Sequence, residues 1–215
     1  MWRFDPTPEP GESRKRQLFI LYVEGPRDRS ILRAWSYRLL PSPAPRLFRA
    51  SVILGGRRPA RAVEHFRGER GAEIGARGLC VLDRDQGAGS QPPEGGEPGL
   101  EFFTWTRRHI ESYLLVPEAI RRALGLPAAD AWIERVLREH LPPEADEEIF
   151  REVNAKRLLG PTGPLARALG QPLPLSRIAR FTREAELHAD VHALFARLRE
   201  QLAAGPSRPV LGQAS

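Results

Sequence analysis

The first half of the chain alternates short apolar runs with segments of helical spacing. Four runs have the length and composition of buried β-strands, at 17–24, 47–54, 78–83 and 100–105. The segments 27–40 and 61–73, which separate the first three runs, repeat their apolar residues at a helical period. Strands that alternate with helices indicate an α/β fold, with a mostly parallel four-stranded sheet flanked by helices.

The second half of the chain has a helical pattern throughout. We expect a C-terminal helical subdomain at 117–203, after an α/β domain at 17–116. The flanking segments 1–16 and 204–215 are predicted to be flexible tails, because they are polar and rich in Pro or Gly. Five helices are expected in the subdomain, the last with Thr182 as its N-cap: 117–124, 128–140, 146–160, 164–169 and 182–202.

The charge balance favours an anionic partner. The net charge is +6 and the sequence pI is near 10.3, which nucleic acid would match most simply. The basic residues are 31 Arg and two Lys, Lys15 and Lys156. Because Lys is so scarce, Lys156 in the folded region stands out as a candidate for a specific role, with a solvated helix lysine as the alternative.

Cysteine usage and hydropathy bear on the compartment. Because Cys80 is the one cysteine, an intramolecular disulfide is excluded. Its position in an apolar run predicts that its small side chain is buried. The N-terminal residues are too polar for a signal peptide, and no stretch approaches the ~20 apolar residues of a membrane span. We therefore expect a cytoplasmic protein with no membrane partner.

Carboxylates follow the strands at the positions where parallel α/β sheets bind ligands. Glu24 and Asp28 follow the first run, Asp83 and Asp85 follow the third, and Glu111 lies downstream. Asp83 and Asp85 are alternate residues of an extended segment, so both side chains point the same way. Clustered carboxylates suit Mg²⁺ or Mn²⁺, and five of them suffice for two ions and in-line phosphodiester displacement. The alternative is that each is a surface acid on a turn.

The same residues form motifs that resemble a known family. V-E-G-x-x-D at 23–28, L-D-R-D at 82–85 and R-R-x-I-E-x-Y-L-L at 107–115 are similar to the Toprim domain of the OLD (overcoming lysogenisation defect) family nucleases and related stand-alone Toprim proteins. The resemblance covers roughly residues 17–116. It continues more loosely in the C-terminal helices, through the segment IARFTREAELHADVHALF at 178–195.

The resemblance implies a Toprim-type fold and a divalent-metal-dependent DNA nickase or endonuclease, acting in phage defence. By position, Glu24 and Asp28 would bind one ion, Asp85 and Glu111 would bind the second, and Asp83 would be shared or central. The catalytic residues implied are Glu24, Asp83, Asp85 and Lys156, with the lysine next to the scissile phosphate. Six arginines near the proposed crevice are candidates for binding DNA phosphates: Arg27, Arg57, Arg58, Arg84, Arg107 and Arg108.

One departure from the family concerns ATP. Full-length OLD proteins carry an ABC-type ATPase, whereas this chain has no G-x-x-x-x-G-K-[ST] phosphate loop. The resemblance therefore implies a separate ATPase subunit as partner, or a chain that is a fragment. Two alternatives stay open: an RNA-cleaving Toprim nuclease, and a catalytically silent Toprim-like module that binds nucleic acid or an ATPase partner.

Overall fold

A four-stranded, all-parallel sheet forms the centre of the molecule, with the strand order β2-β1-β3-β4. The structure is a computed structural model, and it describes residues 19–40, 47–48, 50–84, 96–127, 130–143 and 146–203. The α/β class with a parallel sheet flanked by helices is confirmed. The strands are β1 (Phe19–Val23), β2 (Val52–Ile53), β3 (Arg77–Leu82) and β4 (Leu100–Thr104).

Helices make up most of the remaining described chain. The first two connect strands, and the others follow β4: α1 (Pro26–Leu39), α2 (Pro59–Gly68), α3 (Pro117–Leu124), α4 (Ala131–His140), α5 (Glu147–Glu152), α6 (Ala155–Leu158), α7 (Pro164–Ala168), α8 (Leu175–Phe181) and α9 (Ala189–Ala203). Within the described ranges, 3₁₀ helices lie at Ile110–Leu114 and Glu184–Glu186. Among the helices that the structure describes, none combines the length and apolarity that crossing a bilayer requires.

The two faces of the sheet belong to different hydrophobic clusters, because side chains alternate along a strand. On one face, Tyr22 and Cys80 pack with Phe66 of α2. On the other face, Leu21 and Leu79 belong to a larger cluster that continues without interruption into the C-terminal helices, as far as Ile120 of α3, Ile178 of α8 and Phe195 of α9. The helical region therefore shares its core with one face of the sheet.

Two predicted helices differ from the observed ones. The segment 146–160 is divided into α5 and α6: the first ends at Glu152, and the Asn154 side chain caps the second by accepting a hydrogen bond from the Arg157 amide at 3.0 Å. The segment 182–202 was expected to begin with Thr182 as N-cap. Thr182 instead ends α8, its hydroxyl donating to the Ile178 carbonyl at 2.9 Å, and the long helix begins at Ala189.

Candidate active site

The site lies at the carboxyl edge of the sheet, where β1 and β3 end side by side. These strands are parallel neighbours with Val23 opposite Val81, so the residues that follow them leave the sheet at the same edge. The Asp83 amide donates to the Glu24 carboxylate at 2.8 Å. Both residues are buried, Glu24 at 8% exposure and Asp83 at 4%. The structure therefore brings Glu24 and Asp83 together at this edge.

The turn from β1 into α1 brings a third carboxylate to this edge. Gly25 precedes α1, Pro26 occupies its first turn, and Asp28 follows in the same turn. The Asp28 carboxylate folds back over Gly25: a Cβ on that glycine would lie 3.1 Å from Asp28 Oδ2. A side chain at Gly25 would therefore push against the carboxylate, so the E-G-x-x-D spacing has a steric basis.

Glu111 comes from the 3₁₀ helix that follows β4 and is fully buried. Arg27 of α1 donates to Glu111 Oε1 at 3.3 Å. The second oxygen, Oε2, is buried without a hydrogen-bond partner. An unpaired buried carboxylate oxygen is costly, so this atom is a candidate ligand for a cation.

Asp83 is the best-connected acid of the site. Its Oδ1 accepts a hydrogen bond from the Ile110 amide at 2.9 Å. Its Oδ2 accepts one from Lys156 Nζ at 2.5 Å and lies 3.4 Å from His109 Nδ1. Lys156 reaches the site from α6, on the far side of the break that Asn154 makes between α5 and α6.

The pKa values follow from burial and from these charges. Burial, and then the charges of Asp83 and Glu111, raise the pKa of Asp28 to about 7. Burial and Asp83 likewise raise the pKa of Glu24. Burial acts in the same direction on Asp83, but the contacts from His109, Lys156 and the Ile110 amide outweigh it and lower its pKa.

Lys156 stays protonated at this site. Burial disfavours its ammonium, but the charge and hydrogen bond of Asp83, followed by the charges of Glu111 and Asp28, outweigh burial and raise the pKa of Lys156. The site therefore holds one permanently charged ammonium against Asp83, while Asp28 is only partly ionised near neutral pH.

The structure brings together four of the five predicted metal-binding acids, Glu24, Asp28, Asp83 and Glu111, together with Lys156. Asp85 lies outside the described residues. Within the described ranges, no three Asp, Glu, His or Cys side chains are arranged so that they could hold a metal ion. The donor chemistry suits a hard divalent cation, and Glu111 Oε2 offers an unpaired oxygen. Lys156, however, occupies the side of Asp83 that a cation would use.

The six predicted phosphate-binding arginines have different surroundings. Arg58 and Arg108 are exposed, and Arg27 is exposed beside Glu111. The Arg57 side chain is 7% exposed, lies 4.0 Å from Glu24 Oε1, and has two nitrogens, Nε and NH1, without a hydrogen-bond partner. Arg57 therefore remains well placed to meet an anion at the site.

Two other arginines are used within the fold. Arg107 pairs with Glu147, donates to the Ser112 carbonyl at 3.0 Å, and stacks 4.4 Å from the centre of the Phe150 ring. Arg84 pairs with Glu152 and donates to the Arg151 carbonyl at 3.0 Å. These contacts favour a structural role over the predicted role in phosphate binding. In that role, both arginines hold α5 against the site.

Two residues at the site are not among the predicted site residues. His109 faces Asp83, and its position two residues before Glu111 was the only signal for it. Asn154 caps α6, the helix that carries Lys156, by accepting a hydrogen bond from the Arg157 amide. In the sequence, an Asn at the start of a helix is the signal that could have identified this cap.

Comparisons of the chain with protein-family models, with curated proteins and with solved structures found no match.

Proposed function

We propose that the protein is a divalent-metal-dependent phosphodiesterase that nicks or cleaves DNA at the acidic site. The observation that carries the proposal is the convergence of Glu24, Asp28, Asp83 and Glu111 with Lys156 at the carboxyl edge of a parallel sheet. This is the edge at which open α/β sheets bind ligands. The motifs that resemble the OLD-family Toprim domain supply the same residues.

The acids that would hold Mg²⁺ or Mn²⁺ are Glu24, Asp28, Asp83 and Glu111. Because no three side chains in the described ranges are arranged as a metal site, these acids would have to regroup around the ion. The family resemblance adds Asp85 and a second ion. The bound ions would activate a water and polarise the phosphate. The buried setting of the acids suits this task, because carboxylates removed from water gain more from a hard cation than exposed ones do. Asp28 would release its proton on binding, since its pKa is about 7 without a cation.

Lys156 would stabilise the negative charge that develops on the phosphate. Its raised pKa keeps the ammonium charged, and its half-exposed side chain can turn from Asp83 toward a substrate oxygen. Arg57 would contribute a second positive group from the β2 side of the same edge, through nitrogens that have no hydrogen-bond partner among the described residues, although one lies 4.0 Å from Glu24 Oε1.

Plasmid nicking tests this proposal. We expect purified protein to relax supercoiled plasmid with Mn²⁺ or Mg²⁺, to be inactive with EDTA, and to lose at least about a hundredfold in rate on the Asp83→Asn substitution, because Asp83 is the centre of the site. The matched control is Glu200→Gln, an exposed acid on α9 that should leave the rate unchanged. Full activity of the Asp83→Asn protein would refute the assignment.

We propose DNA as the substrate and a separate ATPase subunit as the partner. An RNA of equal length in the same assay separates DNA cleavage from RNA cleavage. The family resemblance also supports a separate ABC-type ATPase subunit and a role in phage defence. Stimulation of nicking by ATP when the two subunits are combined, and not with this chain alone, is the expected result.

A second candidate function is nucleic-acid binding without cleavage. The ion pair of Lys156 Nζ with Asp83 Oδ2 at 2.5 Å favours it, because the lysine neutralises the central acid without any metal. In that case the Asp83→Asn protein and the unmodified protein would bind DNA alike, and neither would nick plasmid at any concentration of Mn²⁺.

A further inference from the structure

A groove of about 620 Å³ lies between α1 and α8, and none of the four acids of the site lines it. Two aromatic side chains, three arginines and two serines supply most of its wall: Tyr37, Phe181, Arg33, Arg177, Arg180, Ser30 and Ser176. The groove therefore combines flat apolar rings with positive charge.

The two aromatic rings are unusually accessible. Tyr37 is 56% exposed and Phe181 is 38% exposed. Guanidinium groups lie over both rings. Those of Arg33 and Arg180 are 5.9 Å from the centre of the Tyr37 ring, and that of Arg177 is 5.5 Å from the centre of the Phe181 ring. Exposed rings flanked by arginines are the arrangement on which unpaired nucleic-acid bases stack.

The positive charge of the groove is not neutralised by neighbouring acids. Among the described residues, Arg33, Arg177 and Arg180 form no ion pair, and no carboxylate lines the groove. Arg33 Nε is buried without a hydrogen-bond partner. An anionic ligand would therefore gain attraction here without displacing an existing pair.

The groove also leads toward the acidic site. An adjoining cavity of about 300 Å³ shares Ser30 and Ser176 with it and is lined as well by Arg27, the residue that contacts Glu111. On α1, residues 27, 30, 34 and 37 lie on one face at helical spacing. From Arg27 to Tyr37 this face is about 15 Å long, enough for about four stacked nucleotides.

We propose that the groove between α1 and α8 binds a single-stranded segment of nucleic acid, stacks its bases on Tyr37 and Phe181, and leads the strand past Arg27 to the acidic site. The inference rests on the proposed function and narrows its substrate to one with an unpaired segment. A duplex offers no free base faces, so it would use only the charges of the groove.

Binding of labelled oligonucleotides tests the proposal independently of cleavage. The measurement is fluorescence anisotropy in EDTA, with the Asp83→Asn protein and single strands of dT20 and rU20. We expect Tyr37→Ala/Phe181→Ala to weaken binding of the single strand by about tenfold or more, and Tyr37→Trp to retain it, because stacking tolerates any large ring. The matched control is Trp132→Ala, which removes a ring that is 48% exposed on α4, outside the groove.

Salt dependence tests the charges of the groove. The double variant Arg177→Ala/Arg180→Ala should lower the slope of log affinity against log salt concentration by about 1.4 for a single strand, because each phosphate contact contributes about 0.7. Arg199→Ala, which removes an exposed arginine of α9, should leave the slope unchanged.

Three results would overturn the inference: no binding of either single strand, equal losses in the Trp132→Ala and Tyr37→Ala/Phe181→Ala proteins, or a duplex bound as tightly and with the same sensitivity to the aromatic substitutions. Since the readout is binding without metal, these results are distinct from failure of plasmid nicking. The comparison of dT20 with rU20 identifies the preferred sugar.

Discussion

At the residue scale, the acidic site depends on how Asp83 is neutralised. Three groups donate to it or face it: the Ile110 amide, Lys156 and His109. Their combined effect lowers its pKa in spite of burial, while the pKa values of Glu24 and Asp28 are raised. The site therefore favours the ionised form of Asp83 and disfavours that of its two neighbours, which is a division of roles that active sites often use.

The first prediction concerns Lys156. Lys156→Ala should slow plasmid nicking at least about tenfold, because the developing phosphate charge loses its cation, with little change in metal affinity. It should also lower the free energy of unfolding by about 1 kcal/mol, a modest amount because the lysine is partly exposed. Arg157→Ala, the exposed neighbour, is the control. An unchanged nicking rate would remove Lys156 from the catalytic group.

The second prediction concerns Asp28 and pH. Its folded-state pKa of about 7 exceeds the ordinary 3.8, so the folded protein binds more protons than the unfolded chain between those pH values. Asp28 therefore costs stability as pH rises through that window, and Asp28→Asn removes the cost. In EDTA the variant should be more stable than the unmodified protein by on the order of 2 kcal/mol at pH 8, and little different at pH 4.

Urea unfolding at several pH values measures this difference. Glu24, whose pKa is also raised, contributes a dependence of the same sign in both proteins, so the difference between the two curves isolates Asp28. Curves that run parallel from pH 4 to pH 8 would show that Asp28 is ionised like an ordinary surface acid.

At the scale of elements, the strands were the most predictable part of the chain. β1, β3 and β4 lie within the apolar runs at 17–24, near 78–83 and at 100–105, since buried parallel strands are apolar on both faces. β2, predicted at 47–54, is observed at Val52–Ile53, where it pairs with Tyr22 and Val23 of β1. α8 was not predicted, since its seven residues are too few to give a clear period.

The site was predictable where it depends on strand ends, and not where it depends on long-range packing. Glu24 and Asp83 follow apolar runs, so their meeting follows from the parallel sheet. Lys156 lies 73 residues from Asp83 in sequence, and no local pattern places it there; it was predicted from the scarcity of lysine and from the family resemblance. The structural role of Arg107 depends on its contacts with Glu147 and Phe150 of α5. No pattern in the sequence near Arg107 predicts those contacts.

The third prediction tests the break between α5 and α6. Asn154→Ala removes the side chain that caps α6 and should cost about 1 kcal/mol of stability. It should also slow nicking, because α6 positions Lys156, although Asn154 makes no described contact with the acids. Asp130→Ala removes the equivalent cap of α4, from the Trp132 and Ile133 amides, and should cost similar stability without changing the rate. Equal rates in the two variants would contradict a positioning role for Asn154.

At the scale of the whole molecule, the sheet and the C-terminal helices are joined by one hydrophobic cluster. It includes β-strand residues such as Val23 and Val81 and helix residues such as Ile178, Val191 and Phe195. Hydrogen bonds also join the C-terminal helices to the part of the chain before residue 117. Asp190 at the start of α9 accepts hydrogen bonds from Tyr113 and from the Thr106 amide. The predicted boundary at residue 116 therefore divides the sequence without dividing this cluster, and the two parts should unfold together.

The fourth prediction is that Phe195→Ala destabilises the sheet as much as the helices. The ring is 1% exposed and packs at 6.4 Å from the Phe48 ring, so its removal leaves a cavity that should cost about 3–5 kcal/mol. Native-state hydrogen exchange measures the effect separately for β3 and α8. In a single cooperative unit, both lose protection by the same free energy, whereas Ile149→Ala, at an exposed position of α5, changes neither. Loss of protection in α8 with β3 unchanged would mean that the segments 17–116 and 117–203 fold independently.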